Sequence, residues 1–180
     1  MDRKIVIDTG AFYRLKSDDA VFKMISQAGF THYDYTLMWI GVTEHIGVGE
    51  DFKDKAREVK MLAESYGLTC EQTHAYFTGG CDQESINRRI EYTKKDIEIA
   101  SILGAKSMVL HPISELSLEE NYKIIKENYL EDAHRFNIKI AIENIWLLKD
   151  GKPTPMCSST PNEFVKLIDM FNDEYVVACL

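Results

Sequence analysis

The sequence predicts an α/β fold built on a parallel sheet, and three observations carry that prediction. Short apolar runs alternate with helical patterns along the whole chain, the strand starts recur at similar intervals, and glycines stand where helices give way to strands. Six strands are expected at Lys4-Asp8, Thr31-Thr36, Leu68-His74, Lys106-His111, Ile138-Glu143 and Tyr175-Leu180. Between them apolar residues repeat at helical spacing: Val21, Ile25 and Ala28, then Phe52, Ala56, Val59, Ala63 and Tyr66, then Ile86, Ile90, Ile97 and Ala100. After the fourth strand one helical pattern runs through Leu118, Tyr122, Ile125, Tyr129, Ala133 and Phe136. Ser117 with Glu120, and Thr160-Pro161 with Glu163, have the form of capping boxes. Gly29, Gly67 and Gly104 each close a helix before the next strand.

With 180 residues, 45% of them hydrophobic, the chain is long enough to bury a real core, so residues 1–180 are read as a single domain. Its apolar runs are strand-sized and fall short of a membrane span, and a cytoplasmic location is the default expectation. Cys70, Cys81, Cys157 and Cys179 form no C-x-x-C pair, and two lie within expected strands, which reads as reduced structural thiols. The formal charge of −8 weighs against a polyanionic partner and towards small-molecule chemistry.

Strict strand-helix alternation fits either a doubly wound sheet or a barrel. Within the fifth strand Ile138, Ile140 and Ile142 share one face and suit a helix layer, while Lys139, Ala141 and Glu143 share the other. In a barrel that second face points inward and puts Glu143 at the C-terminal mouth. No Gly-x-Gly-x-x-Gly follows the first strand, where Asp8-Thr9-Gly10 offers a single glycine.

Three polar residues end successive strands: His74 the third, His111 the fourth and Glu143 the fifth. Parallel strands in one barrel bring these ends to one rim, where barrel enzymes place their sites. Imidazole nitrogens and a carboxylate are suitable donors for a divalent metal ion, with Mn, Zn, Mg or Co as candidates. Each also has a structural reading, His74 and His111 as hydrogen-bonded strand-end residues and Glu143 as the partner of a nearby lysine or arginine. Proline at 112 turns the chain where His111 reaches the rim, and a glutamate ending so apolar a strand is costly without a partner.

The strand ends Met108-Val109-Leu110-His111-Pro112 and Ile140-Ala141-Ile142-Glu143-Asn144-Ile145-Trp146 resemble the His-Pro and Glu-Asn strand ends of xylose-isomerase-like (β/α)8 TIM barrels. Ala28-Gly29-Phe30 before a strand containing Asp34, and Thr73-His74, are similar to the second and third strands of that superfamily. The likeness runs from about Lys4 to Leu180 and implies that the chain covers about strands 1 to 6. In the superfamily the sixth strand continues into an Asp-x-Gly-His type segment. Here the chain stops at Val176-Val177-Ala178-Cys179-Leu180, and a complete barrel takes about 250 residues. The resemblance therefore implies a C-terminally incomplete barrel, with association, including homo-oligomers, as one expected consequence of open sheet edges.

The resemblance further implies a metal-dependent isomerase or epimerase acting on a sugar or sugar-like substrate. Glu143 would bind the metal and exchange a proton with substrate through an ene-diolate, with His111 beside it at the centre. His74, Asn144, Trp39 and Trp146 would line the sugar pocket, although each tryptophan is equally well read as packing. Ketose 3-epimerases of the superfamily carry a second glutamate where this sequence has Leu147, Leu148 and Lys149, which leaves the substrate open. The endonuclease IV branch uses two histidines and the glutamate directly as zinc ligands, and His74, His111 and Glu143 match those positions. Against that reading, Gly41 to Asp51 after the second strand holds three acids and no lysine or arginine. A third alternative is a non-catalytic, barrel-derived binding protein.

Overall fold

A computed structural model of the protein describes residues 4–15, 17–38, 46–77, 80–149 and 151–179. Strand β1 (Val6–Asp8) leads into a kinked 3-10 segment, Thr9–Leu15, and then α1 (Asp18–Gln27), β2 (His32–Thr36), α2 (Phe52–Ser65), β3 (Thr69–His74), α3 (Gln83–Leu103) and β4 (Ser107–Leu110). There follow α4 (Leu118–Asn128), α5 (Leu130–Phe136), β5 (Lys139–Glu143), β6 (Trp146–Lys149), β7 (Lys152–Pro155), α6 (Pro161–Phe171) and β8 (Val176–Cys179). The order β1-β2-β3-β4-β5-β8 forms one six-stranded sheet in which every pairing is parallel. All six expected strands are present, with Leu180 outside the described residues.

Register sorts the side chains into two layers. Tyr33, Tyr35, Met108, Leu110, Ile140 and Ile142 belong to the helix-facing core, packed with Phe22, Ala56, Ile97, Ala133 and Leu167. Val109 and Ala141 are also buried but stand outside that core cluster, as the alternation requires for residues turned to the opposite face. Burying so many branched side chains is what holds the helices to the sheet.

The helix starts follow their caps. Ser17 and Asp82 accept from the backbone N–H three residues on, Ser117 and Glu120 form a reciprocal capping box, and Thr160 accepts from Glu163 ahead of a proline-led first turn. Gly104 ends α3 in the left-handed region at φ 88°, which a residue with a side chain reaches only at a cost.

Two features depart from expectation. The single helical pattern after β4 is two helices, broken at Tyr129 (φ −119°). There the Asn128 side-chain amide donates to the Ile124 carbonyl, the acceptor its own backbone N–H would use, and the chain turns to bury the Tyr129 ring. The loop after β5 contains an antiparallel hairpin, β6 with β7, in register from Trp146↔Pro155 to Lys149↔Lys152. The sequence signal for it is Asp150-Gly151, a dipeptide suited to two-residue hairpin loops, with Gly151 at φ 73°. Among the described residues no helix is long and apolar enough to cross a membrane.

Candidate metal centre

The inward-facing residues at the C-terminal ends of β1 to β5 are polar. In β2 Asp34 and Thr36 oppose the Tyr33–Tyr35 face, and in β5 Glu143 opposes Ile140 and Ile142. For β3 simple alternation gives the wrong answer, because Leu68 and Cys70 belong to the helix-facing core and would carry Gln72 and His74 with them. The β2–β3 register, however, passes from Tyr33↔Cys70 to Asp34↔Gln72, and the skipped residue, Glu71, is a bulge. Beyond it Gln72 and His74 share the face of Asp34 and Thr36.

One step beyond the Leu110↔Ile142 pair, His111 and Glu143 meet with His111 Nε2 2.6 Å from Glu143 Oε2. The His74 and His111 rings lie edge to face at 5.9 Å, and Phe77 closes the other side of His111 at 5.3 Å. One donor atom from each of His74, His111 and Glu143 falls within 4.8 Å of the others. The side chains are largely enclosed, with His74 18%, His111 12% and Glu143 30% exposed.

His74 also connects to an acidic pair. Its Nδ1 stands 2.8 Å from Oδ2 of Asp34, which also accepts from Gln72 Nε2 at 2.5 Å, and Asp34 is only 3% exposed. Asp8 accepts from Gly10 N at 2.8 Å and from the Thr36 hydroxyl. Burial works to lower the His74 pKa, but Asp34, with Asp8 and Glu143 adding to it, raises it above the ordinary histidine value. The His111 imidazole lowers the Glu143 pKa against opposing burial, with His74 assisting, so Glu143 is an anion at neutral pH.

The donors fit a divalent cation. His111 Nε2 is buried and lacks an aligned hydrogen bond even though Glu143 lies so close, and Asp34 Oδ1 is buried without a partner. Two imidazoles and a carboxylate that converge on one point suit Zn2+, Mn2+ or Co2+.

Of the residues expected at the site, His74, His111 and Glu143 come together. Asn144 is half-buried next to Glu143 and bonds through its backbone to Cys179 (3.4 Å), Trp146 is 50% exposed at the start of β6, and Trp39 lies outside the described residues. Sequence reasoning placed Asp34 in the second strand but gave it no role at the site, and it passed over Asp8 and Gln72. The polar positions of β2, opposite Tyr33 and Tyr35, were the available signal for Asp34.

Residues 19–180 match the family described as xylose isomerase-like TIM barrel, nearly the whole chain. The chain belongs to the xylose isomerase-like TIM barrel family. Several solved structures share the fold of this xylose isomerase-like chain. A D-tagatose 3-epimerase-like protein superposes with TM-score 0.71 at 16% identity over 97% of this chain and 63% of its own. For the 3-keto-D-glucoside 4-epimerase of E. coli the values are 0.70, 14%, 98% and 67%. A xylose isomerase-like TIM barrel protein from Mycobacterium smegmatis, solved in complex with magnesium, gives 0.66, 14%, 94% and 56%. The chain thus spans about three-fifths of the length of such barrels. Among curated proteins none matches the sequence.

Proposed function

We propose that this chain forms part of a metal-dependent isomerase or epimerase acting on a sugar or sugar-like substrate, with His74, His111 and Glu143 as metal ligands. The observation that carries the reading is the convergence of His111 Nε2, Glu143 Oε2 and His74 at the C-terminal rim. A D-tagatose 3-epimerase-like protein and a 3-keto-D-glucoside 4-epimerase among the structural neighbours support it, as does the magnesium complex of a xylose isomerase-like TIM barrel protein.

His74, His111 and Glu143 would hold a divalent ion, which when bound would supply polarisation of a substrate carbonyl or hydroxyl and so acidify the adjacent C–H. Glu143, an anion at the end of β5, would take the proton from that carbon and return it on the same face to the neighbouring carbon, as an isomerisation requires; an epimerisation would need a second proton donor on the opposite face of the ene-diolate. With its lowered pKa Glu143 is a weak base, so the acidified substrate must supply much of the driving force. His111 is walled by Phe77; Asn144 and the exposed Trp146 are the proposed sugar-contacting groups, and Trp39 is added from sequence alone.

The test is hydrogen exchange in D2O with a panel of keto and aldo sugars and their phosphates, read by NMR at the carbon beside the carbonyl, with metal content measured in parallel. Exchange that depends on added metal and falls at least about 100-fold in Glu143→Gln is expected, in the range of acid-base contributions. A metal-loaded protein that exchanges no substrate proton but cleaves duplex containing an abasic site would overturn the reading in favour of a phosphodiesterase.

A further inference from the structure

Helix α3 carries a polar stripe on its buried side. Arg89, Thr93 and Asp96 recur at helical spacing and are 3%, 0% and 0% exposed. The stripe reaches the two chain segments that leave the candidate ligands. Asp96 Oδ2 accepts from Tyr76 N at 2.7 Å, two residues after His74, and Arg89 Nη2 donates to the carbonyl oxygen of His111 itself. The guanidinium also stacks 5.5 Å from the centroid of Phe77, whose ring packs on the His111 imidazole. From α4, Asn121 grips the next turn at both Ile113 N (2.8 Å) and Ile113 O (3.0 Å).

A guanidinium this deeply buried is expensive, and its burial outweighs the opposing pull of Tyr129 and Glu115. An apolar side chain would fill the same space at lower cost. What the arginine supplies is a donor for the His111 carbonyl, which lies just past the end of β4, and a flat surface behind Phe77.

We infer that Arg89 is a positioning residue that fixes the His111 imidazole at the rim, through the His111 carbonyl on one side and the Phe77 ring on the other. The inference rests on the proposed metal reading for its functional meaning, but the placement of the ring can be tested without it.

The experiment compares wild type, Arg89→Met, Arg89→Lys and Thr93→Val, using cobalt(II) affinity by chelator competition, the cobalt ligand-field spectrum, and the His111 ring correlations in 15N NMR of metal-free protein. The sign separates two accounts. A buried cation acting only by charge repels the metal, so its loss in Arg89→Met would tighten binding and Arg89→Lys would resemble wild type. Positioning predicts the opposite: both variants weaken cobalt binding by about 10–100-fold, alter the ligand-field bands and broaden the His111 ring signals. Thr93→Val, a near-isosteric change on the same buried face, leaves the affinity and ring signals unchanged. Should Arg89→Met fail to fold, Arg89→Lys decides. Unchanged or tighter cobalt binding with unaltered His111 signals in a folded Arg89 variant would overturn the inference. If wild type takes up no cobalt, the proposed function falls, and the His111 ring signals alone decide the role of Arg89.

Discussion

Asp34 pairs with Gln72, not with Glu71, in the β2–β3 ladder, and this one-residue skip turns His74 from the helix layer to the polar interior. The bulge is tied down at its own side chain. Glu71 bonds Lys4 and Lys106 at 2.7 Å each, and its carbonyl accepts from Lys106 N.

Those ion pairs predict a pH-dependent stability. Burial tends to raise the Glu71 pKa, but the hydrogen bonds from Lys106 and Lys4 outweigh it and hold the group below its ordinary 4.5. A carboxylate depressed in the folded state stabilises above its unfolded pKa and loses that contribution as pH falls through the folded value. Glu71→Gln should therefore melt lower at pH 7, by the equivalent of at most about 1 kcal/mol for so accessible a cluster. The gap between thermal melts of the two proteins should begin to close as pH falls past 4.5 and vanish once the folded carboxylate is protonated, and a gap that stays constant as the medium is acidified would contradict the assignment.

Removing the Asp34 carboxylate should be costly for a different reason. Asp34→Ala takes the acceptor from Gln72 Nε2 and the partner from His74 Nδ1 at a buried position. A loss of about 1–3 kcal/mol in denaturant unfolding is expected, with Asp34→Asn recovering part of it.

Ile142 and Glu143 are neighbours on opposite faces of β5, which allows packing and ligation to be separated. Ile142 is fully buried, and Ile142→Ala should cost about 2–5 kcal/mol. Cobalt affinity of the folded fraction should stay that of wild type, and a parallel collapse of both would show that the two faces are not independent.

The capping box at Ser117 offers a local control. Its hydroxyl accepts from Glu120 N while the Glu120 carboxylate accepts from Ser117 N at 2.8 Å. Ser117→Ala should lower stability by about 0.5–2 kcal/mol, read from chemical denaturation, without altering metal binding.

Much of this arrangement is written locally. The isoleucine phase of Ile138, Ile140 and Ile142 suffices to turn Glu143 inward, because β5 is regular and side chains alternate strictly along a regular strand. Capping residues and glycines mark the helix ends, and Asp150-Gly151 marks a hairpin that the strand pattern around it did not suggest. These signals span a few residues and need no knowledge of neighbours.

The partners were decided elsewhere. From Leu68 and Cys70 alone, His74 belongs among the helices; only pairing with β2, and the lysines at 4 and 106 that hold the Glu71 bulge, turn it towards His111. Arg89 sits on a helix whose apolar repeat gives no hint that a charge lies underneath, and its acceptor is 22 residues away. The sequence by itself determined the six strands of the parallel sheet and where Glu143 points, since both follow from short-range periodicity. The tertiary structure decided which residues surround that carboxylate, because a bulge and a buried hydrogen bond depend on chain segments that are distant in sequence and meet only once the sheet has formed.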